Sequence, residues 1–97
     1  MDFEEYINKS EYSAVVFFAE NCPPCRMFCD VFERFSKENT DVNFFKVNVD
    51  NEEELASKYG VQIMPTVVFF KNGDQISVAQ GVVGEKTLLR EIKKMQQ

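Results

Sequence analysis

The 97-residue chain contains no histidine. This removes the side chain most often used for proton transfer near neutral pH, and with it every mixed Cys/His zinc site. A basic cluster is also missing: eleven Lys and Arg stand against sixteen Asp and Glu, a net charge of −5. Nucleic acid binding needs a positive patch, so the charge balance argues against nucleic acid as a partner. No apolar run approaches the roughly 20 residues of a membrane span. The first residues, Met1-Asp2-Phe3-Glu4-Glu5, are acidic where a secretory leader is basic. The expectation is a cytoplasmic, reducing location. Cysteine is scarce and confined to one stretch, as Cys22, Cys25 and Cys29. Three thiols so close together are not a secreted disulfide framework. A zinc site would need a fourth ligand from a carboxylate or a second chain, and no metal is expected.

Apolar residues, by contrast, are plentiful. They make up 44% of the chain, with ten Phe, enough for one domain over residues 1–97 to build its own core. Phe3, Tyr6 and Ile7 have helical spacing over residues 2–9, with Asp2 placed to cap. The run 12–19 (Tyr-Ser-Ala-Val-Val-Phe-Phe-Ala) reads as a central strand buried on both faces. Phe28, Val31, Phe32 and Phe35 then mark one face of a helix over 24–38. Residues 42–49 alternate as a strand, and Asp50-Asn51 before Glu52-Glu53-Glu54 reads as a capped helix start ending at Gly60. A second apolar strand covers 66–70. Asn72-Gly73 signals a hairpin into a strand over 75–79. The last helix, 85–95, is expected to bury Leu88, Leu89, Ile92 and Met95. Right-handed crossovers predict parallel strands side by side, with the hairpin adding one antiparallel edge.

The organising segment is Asn21-Cys22-Pro23-Pro24-Cys25, between the first apolar strand and the Phe-rich helix. A helix N-terminus offers free N–H groups and a positive dipole end, which favour a thiolate. Two thiols three positions apart at such a place can attack a disulfide and resolve the product.

With Phe17-Phe18-Ala19-Glu20-Asn21-Cys22-Pro23-Pro24-Cys25, Lys46-Val47-Asn48-Val49-Asp50, Tyr59-Gly60-Val61, Met64-Pro65-Thr66, Phe69-Phe70-Lys71-Asn72-Gly73 and Gly81 in order, the chain resembles the thioredoxin family over nearly its whole length. The resemblance implies a thioredoxin-like α/β fold. Cys22 would be the exposed nucleophile and Cys25 the shielded resolving thiol. Pro65 would be the family's cis-proline, Met64 would offer its backbone to an extended substrate, and Gly81 would leave room beside it. Asn21 and Pro23 would line the substrate's path. The family further implies disulfide-containing protein substrates and regeneration by a thioredoxin reductase that itself uses NADPH. No cofactor would be bound here, and the protein would act as a monomer in electron transport and cell redox homeostasis.

Four departures from the family carry consequences. Asn21 stands where thioredoxins place Trp, and the chain has no Trp at all. Pro23-Pro24 replaces Gly-Pro, so the helix is expected to begin at Pro24, with the Cys25 N–H as the nearest donor to the Cys22 sulfur. Val16 replaces a buried Asp that serves the resolving cysteine's proton. Lys46, that Asp's usual partner, should then extend its ammonium to solvent, leaving water or Glu20 to take the Cys25 proton. Lys46 and Glu20 are thus the candidate modulators of thiol acidity. Finally, the family's first strand is missing. Four strands flanked by four helices are therefore expected, with 43–49 as an edge blunted by Asn43, Lys46 and Asn48.

Cys29, four residues after Cys25, reads as a small core residue or a regulatory thiol. Arg26 and Met27 read as exposed, with Arg26 a surface cation or a guide for partners. Two functions follow: a protein-disulfide reductase, or a partner-binding module of this fold with little turnover. A glutaredoxin- or isomerase-like potential is the variant of the first.

Overall fold

The computed structural model describes residues 3–97. Its elements are α1 (Phe3–Asn8), β1 (Tyr12–Phe18), α2 (Pro23–Glu38), β2 (Asn43–Asn48), α3 (Glu53–Lys58), β3 (Thr66–Lys71), β4 (Asp74–Gln80) and α4 (Glu85–Met95). The four strands form one mixed sheet in the order β2-β1-β3-β4. Phe3 and Glu4 are helical and, among the described residues, β2 pairs only with β1. The expected cap at Asp2 lies outside the described residues.

Strand alternation sorts the core into two layers. Ala14 and Val16 of β1 and Val67 and Phe69 of β3 point to one face, where Phe28, Phe32 and Phe35 of α2 and Leu88, Ile92 and Met95 of α4 cover them. Val15, Phe17, Val68 and Phe70 point to the other, against Ile7 of α1 and Ala56 of α3. Two helices on each face explain the unbroken apolar runs of β1 and β3, since a strand covered on both sides has no solvent face.

One strand direction differs from expectation. β1 and β2 are parallel, but β3 runs antiparallel to β1, pairing Phe17 with Thr66 and Tyr12 with Lys71. The cause is the connection after β2. α3 has six residues, about 9 Å of helix, too short to carry the chain back along a strand of about 20 Å. The chain therefore re-enters the sheet at the end where β1 and β2 finish. This places the residues before Thr66 beside those after Phe18.

The turns follow local chemistry. Asn72 and Gly73 have φ of 53° and 86°, both left-handed, as a two-residue hairpin requires. α3 ends with Gly60 at φ 67°, the N–H groups of Gly60 and Val61 donating to the carbonyls of Ser57 and Ala56. Its start differs from expectation: Glu52 is the N-cap and forms no side-chain cap. The turn is organised instead by Asn48, whose Oδ1 accepts from the Asp50 N–H at 2.9 Å.

α4 also departs from its expected pattern. Leu89 is 38% exposed, while Glu91 is only 7% exposed. Burial alone would push the Glu91 carboxyl up. The hydrogen bond from Lys94, with the charges of Lys94 and Arg90, outweighs this and holds it below its ordinary value. A depressed carboxyl stabilises the fold fully above its unfolded pKa, about 4.3. That contribution disappears as pH falls through the lower folded value. Urea midpoints at pH 7, 5 and 3 should therefore drop less steeply with acid in Glu91→Gln than in the wild type.

Candidate active site

β1 delivers the chain to Cys22, which caps α2 in an extended conformation (φ −132°, ψ 97°). Helical residues start at Pro23, one earlier than the pre-proline restriction on Pro23 suggests. At the first helical position proline's fixed φ fits and its missing N–H forgoes no helical bond. Pro23 and Pro24 contribute no amide hydrogens, so Cys25 supplies the first N–H of the helix. It lies 3.3 Å from Cys22 Sγ and 3.0 Å from the Cys22 carbonyl oxygen. The expectation that this amide is the nearest donor to the sulfur agrees with that geometry.

Cys22 and Cys25 are joined in a disulfide, with Cα atoms 5.2 Å apart. Cys22 is half-buried, whereas Cys25 is 1% exposed. Across from them lies the loop that the short α3 leaves at this end of the sheet. Its Met64–Pro65 peptide is cis, and the Met64 carbonyl oxygen is 4.0 Å from Cys22 Sγ. Pro65 is buried, and its carbonyl accepts from the Gly81 N–H at 2.8 Å. Gly81 has φ 79°, a left-handed conformation that favours glycine, and the space where a Cβ would sit is open. Asn21 and Pro23 are exposed. Thus Cys22, Cys25, Met64, Pro65 and Gly81 converge, with Asn21 and Pro23 on the rim.

Ile63 and Val82, next in the chain to Met64 and Gly81, are 50% and 54% exposed. Sequence reasoning passed over both. Their only signal was an apolar residue beside a motif position at a strand end.

The two candidate modulators sit elsewhere than expected. Lys46 does not extend free into solvent: its ammonium is paired with Glu33 of α2, which raises the Lys46 pKa and lowers that of Glu33. Val16, opposite Lys46 in the β1/β2 register, is fully buried. With no carboxylate at Val16, the lysine takes the nearest one on the helix above. Glu20 accepts from Asn48 Nδ2 at 3.2 Å, and its backbone carbonyl from Arg26 at 3.4 Å.

Cys29 is half-buried and outside both core layers, so it is not the core residue expected. Burial pushes its thiol up; Lys46 opposes this, while Glu33 and Asp30 reinforce it. With the disulfide closed, iodoacetamide should alkylate Cys29 at pH 7 more slowly than an unstructured cysteine peptide. The rate should climb with pH past the ordinary thiol range.

A dithiol closed at a helix N-terminus, facing a cis-proline loop on a mixed α/β sheet, defines a protein built for thiol–disulfide exchange. The thioredoxin family model matches residues 1–94. Thioredoxin from Rickettsia bellii is 40% identical over 89 residues, covering 90% of this chain and 85% of that protein. Thioredoxin from Rickettsia typhi is 36% identical over 97% of this chain and 91% of its own length. The structure of Fasciola hepatica thioredoxin superposes with a TM-score of 0.88 at 39% identity, covering 95% of this chain and 89% of that one. The chain belongs to the thioredoxin family, with thioredoxin-type thiol–disulfide oxidoreductase activity.

Proposed function

We propose that the protein reduces disulfides in other proteins, with Cys22 as nucleophile and Cys25 as resolving thiol. The observation that carries this assignment is the unequal exposure of the two residues, half-buried at Cys22 and enclosed at Cys25. In the reduced protein, the Cys22 thiolate attacks one sulfur of the substrate disulfide. A mixed disulfide forms and the other substrate sulfur leaves as a thiolate. Cys25 then loses its proton and attacks Cys22 Sγ, closing the Cys22–Cys25 bond and releasing the second substrate thiolate. Two electrons and two protons pass to the substrate. The Cys25 N–H and the positive end of α2 favour the Cys22 thiolate, both as attacking group and as leaving group.

An extended substrate segment lies along Met64, whose backbone is exposed to it by the turn at Pro65, with Gly81 opposite and Asn21 and Pro23 beside the sulfurs. The oxidised protein is returned to the dithiol by a thioredoxin reductase drawing on NADPH, so the chain itself needs no bound cofactor. It works as a cytoplasmic monomer in electron transport and redox homeostasis. Insulin reduction followed by turbidity tests the reading. Wild type should turn over with dithiothreitol or with reductase and NADPH, and Cys22→Ser should fall to the uncatalysed rate. A wild type without turnover would instead favour a binding module.

A further inference from the structure

The chain as a whole is acidic, yet the outward face of α4 is not. Lys86, Arg90 and Lys93 fall at i, i+4 and i+7, on the side opposite the buried Leu88, Ile92 and Met95, and all three are exposed. Gln97 continues the row. Arg90 Nε is 3.6 Å from Glu91, but among the described residues no carboxylate pairs with Lys86 or Lys93. Glu91 also holds Lys94 at 3.0 Å, beside the row. The row lines a shallow groove of about 360 Å³, whose one apolar member is Leu89.

Four of the chain's eleven cations thus sit on one helix, a basic cluster that the sequence reading missed because helical spacing spreads it over nine residues, while the remainder of the molecule is strongly acidic. An exposed cation row in an acidic protein creates a local field opposite in sign to its surroundings, which selects partners by charge.

We infer that this face of α4 is a docking surface for an acidic polypeptide segment. From Lys86 to Lys93 the row spans about 10 Å of helix, the length of about three extended residues. A membrane surface fits poorly, because an interfacial helix needs a broad apolar face, and that face of α4 is spent on the core. The position gives the surface a use. α4 starts four residues after Gly81 with Glu85 3.6 Å from Arg34 of α2, so the row begins about 18 Å along α2 from Cys22 and leads away from it. An acidic stretch about five or six extended residues from a client's disulfide would lie along α4 while the disulfide reaches Cys22. This use rests on the client-reduction reading above; the binding itself does not.

The test is a titration of fluorescein-labelled hexaglutamate by anisotropy, at 20 and 300 mM salt. Lys86→Glu/Lys93→Glu is compared with Lys9→Glu/Lys58→Glu, which makes the same charge change on the α1/α3 side. Wild type and the control pair should bind at low salt and lose the peptide at high salt. The α4 pair should bind about tenfold more weakly or not at all, with insulin reduction unchanged. Absence of low-salt binding by wild type, or equal binding by both double variants, would overturn the inference. So would binding to phosphatidylserine vesicles in preference to the peptide. The titration repeated on Cys22→Ser must give the same result, which separates failure of docking from failure of the redox reading.

Discussion

Replacing Cys25 by serine should convert the protein from a catalyst into a trap. Cys22 can still attack, because its N-cap position and the amide at the start of α2 are backbone features that a serine in place of Cys25 keeps. The mixed disulfide then has no internal thiol to break it. Incubated with insulin, Cys25→Ser should accumulate a covalent adduct visible on a non-reducing gel and by mass. Turnover should fall by about 10³-fold or more, as when one member of a catalytic pair is removed. Cys22→Ser should lose turnover to a similar extent and form no adduct. Adduct formation by the Cys22 variant, or none by the Cys25 variant, would reverse the assigned roles. Cys29 does not replace Cys25 in this scheme, because it lies seven residues along α2 from Cys22, about 10 Å of helix and beyond the reach of a disulfide.

The second large effect is expected at Val16. The side chain is fully enclosed with Phe28, Phe32 and Val67, and its register neighbour Lys46 is already committed to Glu33. A carboxylate placed there has no ready cation, and an uncompensated buried charge costs about 3–5 kcal/mol. Val16→Asp should therefore unfold at clearly lower urea than wild type at pH 7. Burial raises the folded pKa of the new carboxyl above its unfolded value, about 3.9. The deficit should be full above the folded pKa and shrink as pH falls toward 4. The same carboxylate supplies the proton acceptor that the family uses for its resolving cysteine. Stopped-flow release of a labelled substrate thiol should thus be faster in Val16→Asp than in wild type. An equal or slower rate would show that water or Glu20 already serves Cys25 adequately.

The parts of the fold that follow from short-range chemistry were legible in the sequence. The apolar run of β1, the Phe stripe of α2 and the Asn72-Gly73 hairpin each obey a local rule, and the structure places them accordingly. The direction of β3 was not legible, because it depends on how far the short α3 carries the chain. The start of α3 was set by Asn48 rather than by the Asp-Asn pair nearest to it, a competition between neighbouring polar side chains that spacing does not resolve.

At the site, Cys22, Cys25, Met64, Pro65 and Gly81 were all named from motif and family resemblance, and they converge. The surrounding charges were harder to read. Lys46 finds Glu33 from a helix distant in sequence, and Glu91 is buried on α4 while the neighbouring Leu89 stays exposed. Both depend on which surfaces meet in three dimensions.

The most direct test of the central claim is an equilibrium titration of the protein against glutathione redox buffers, quenched with acid and analysed by mass. Exchange through Cys22 and Cys25 predicts one two-electron transition between the dithiol and the intramolecular disulfide, with Cys29 a free thiol throughout. A titration that ends in glutathione adducts on Cys22 without closing the bond to Cys25 would contradict the mechanism.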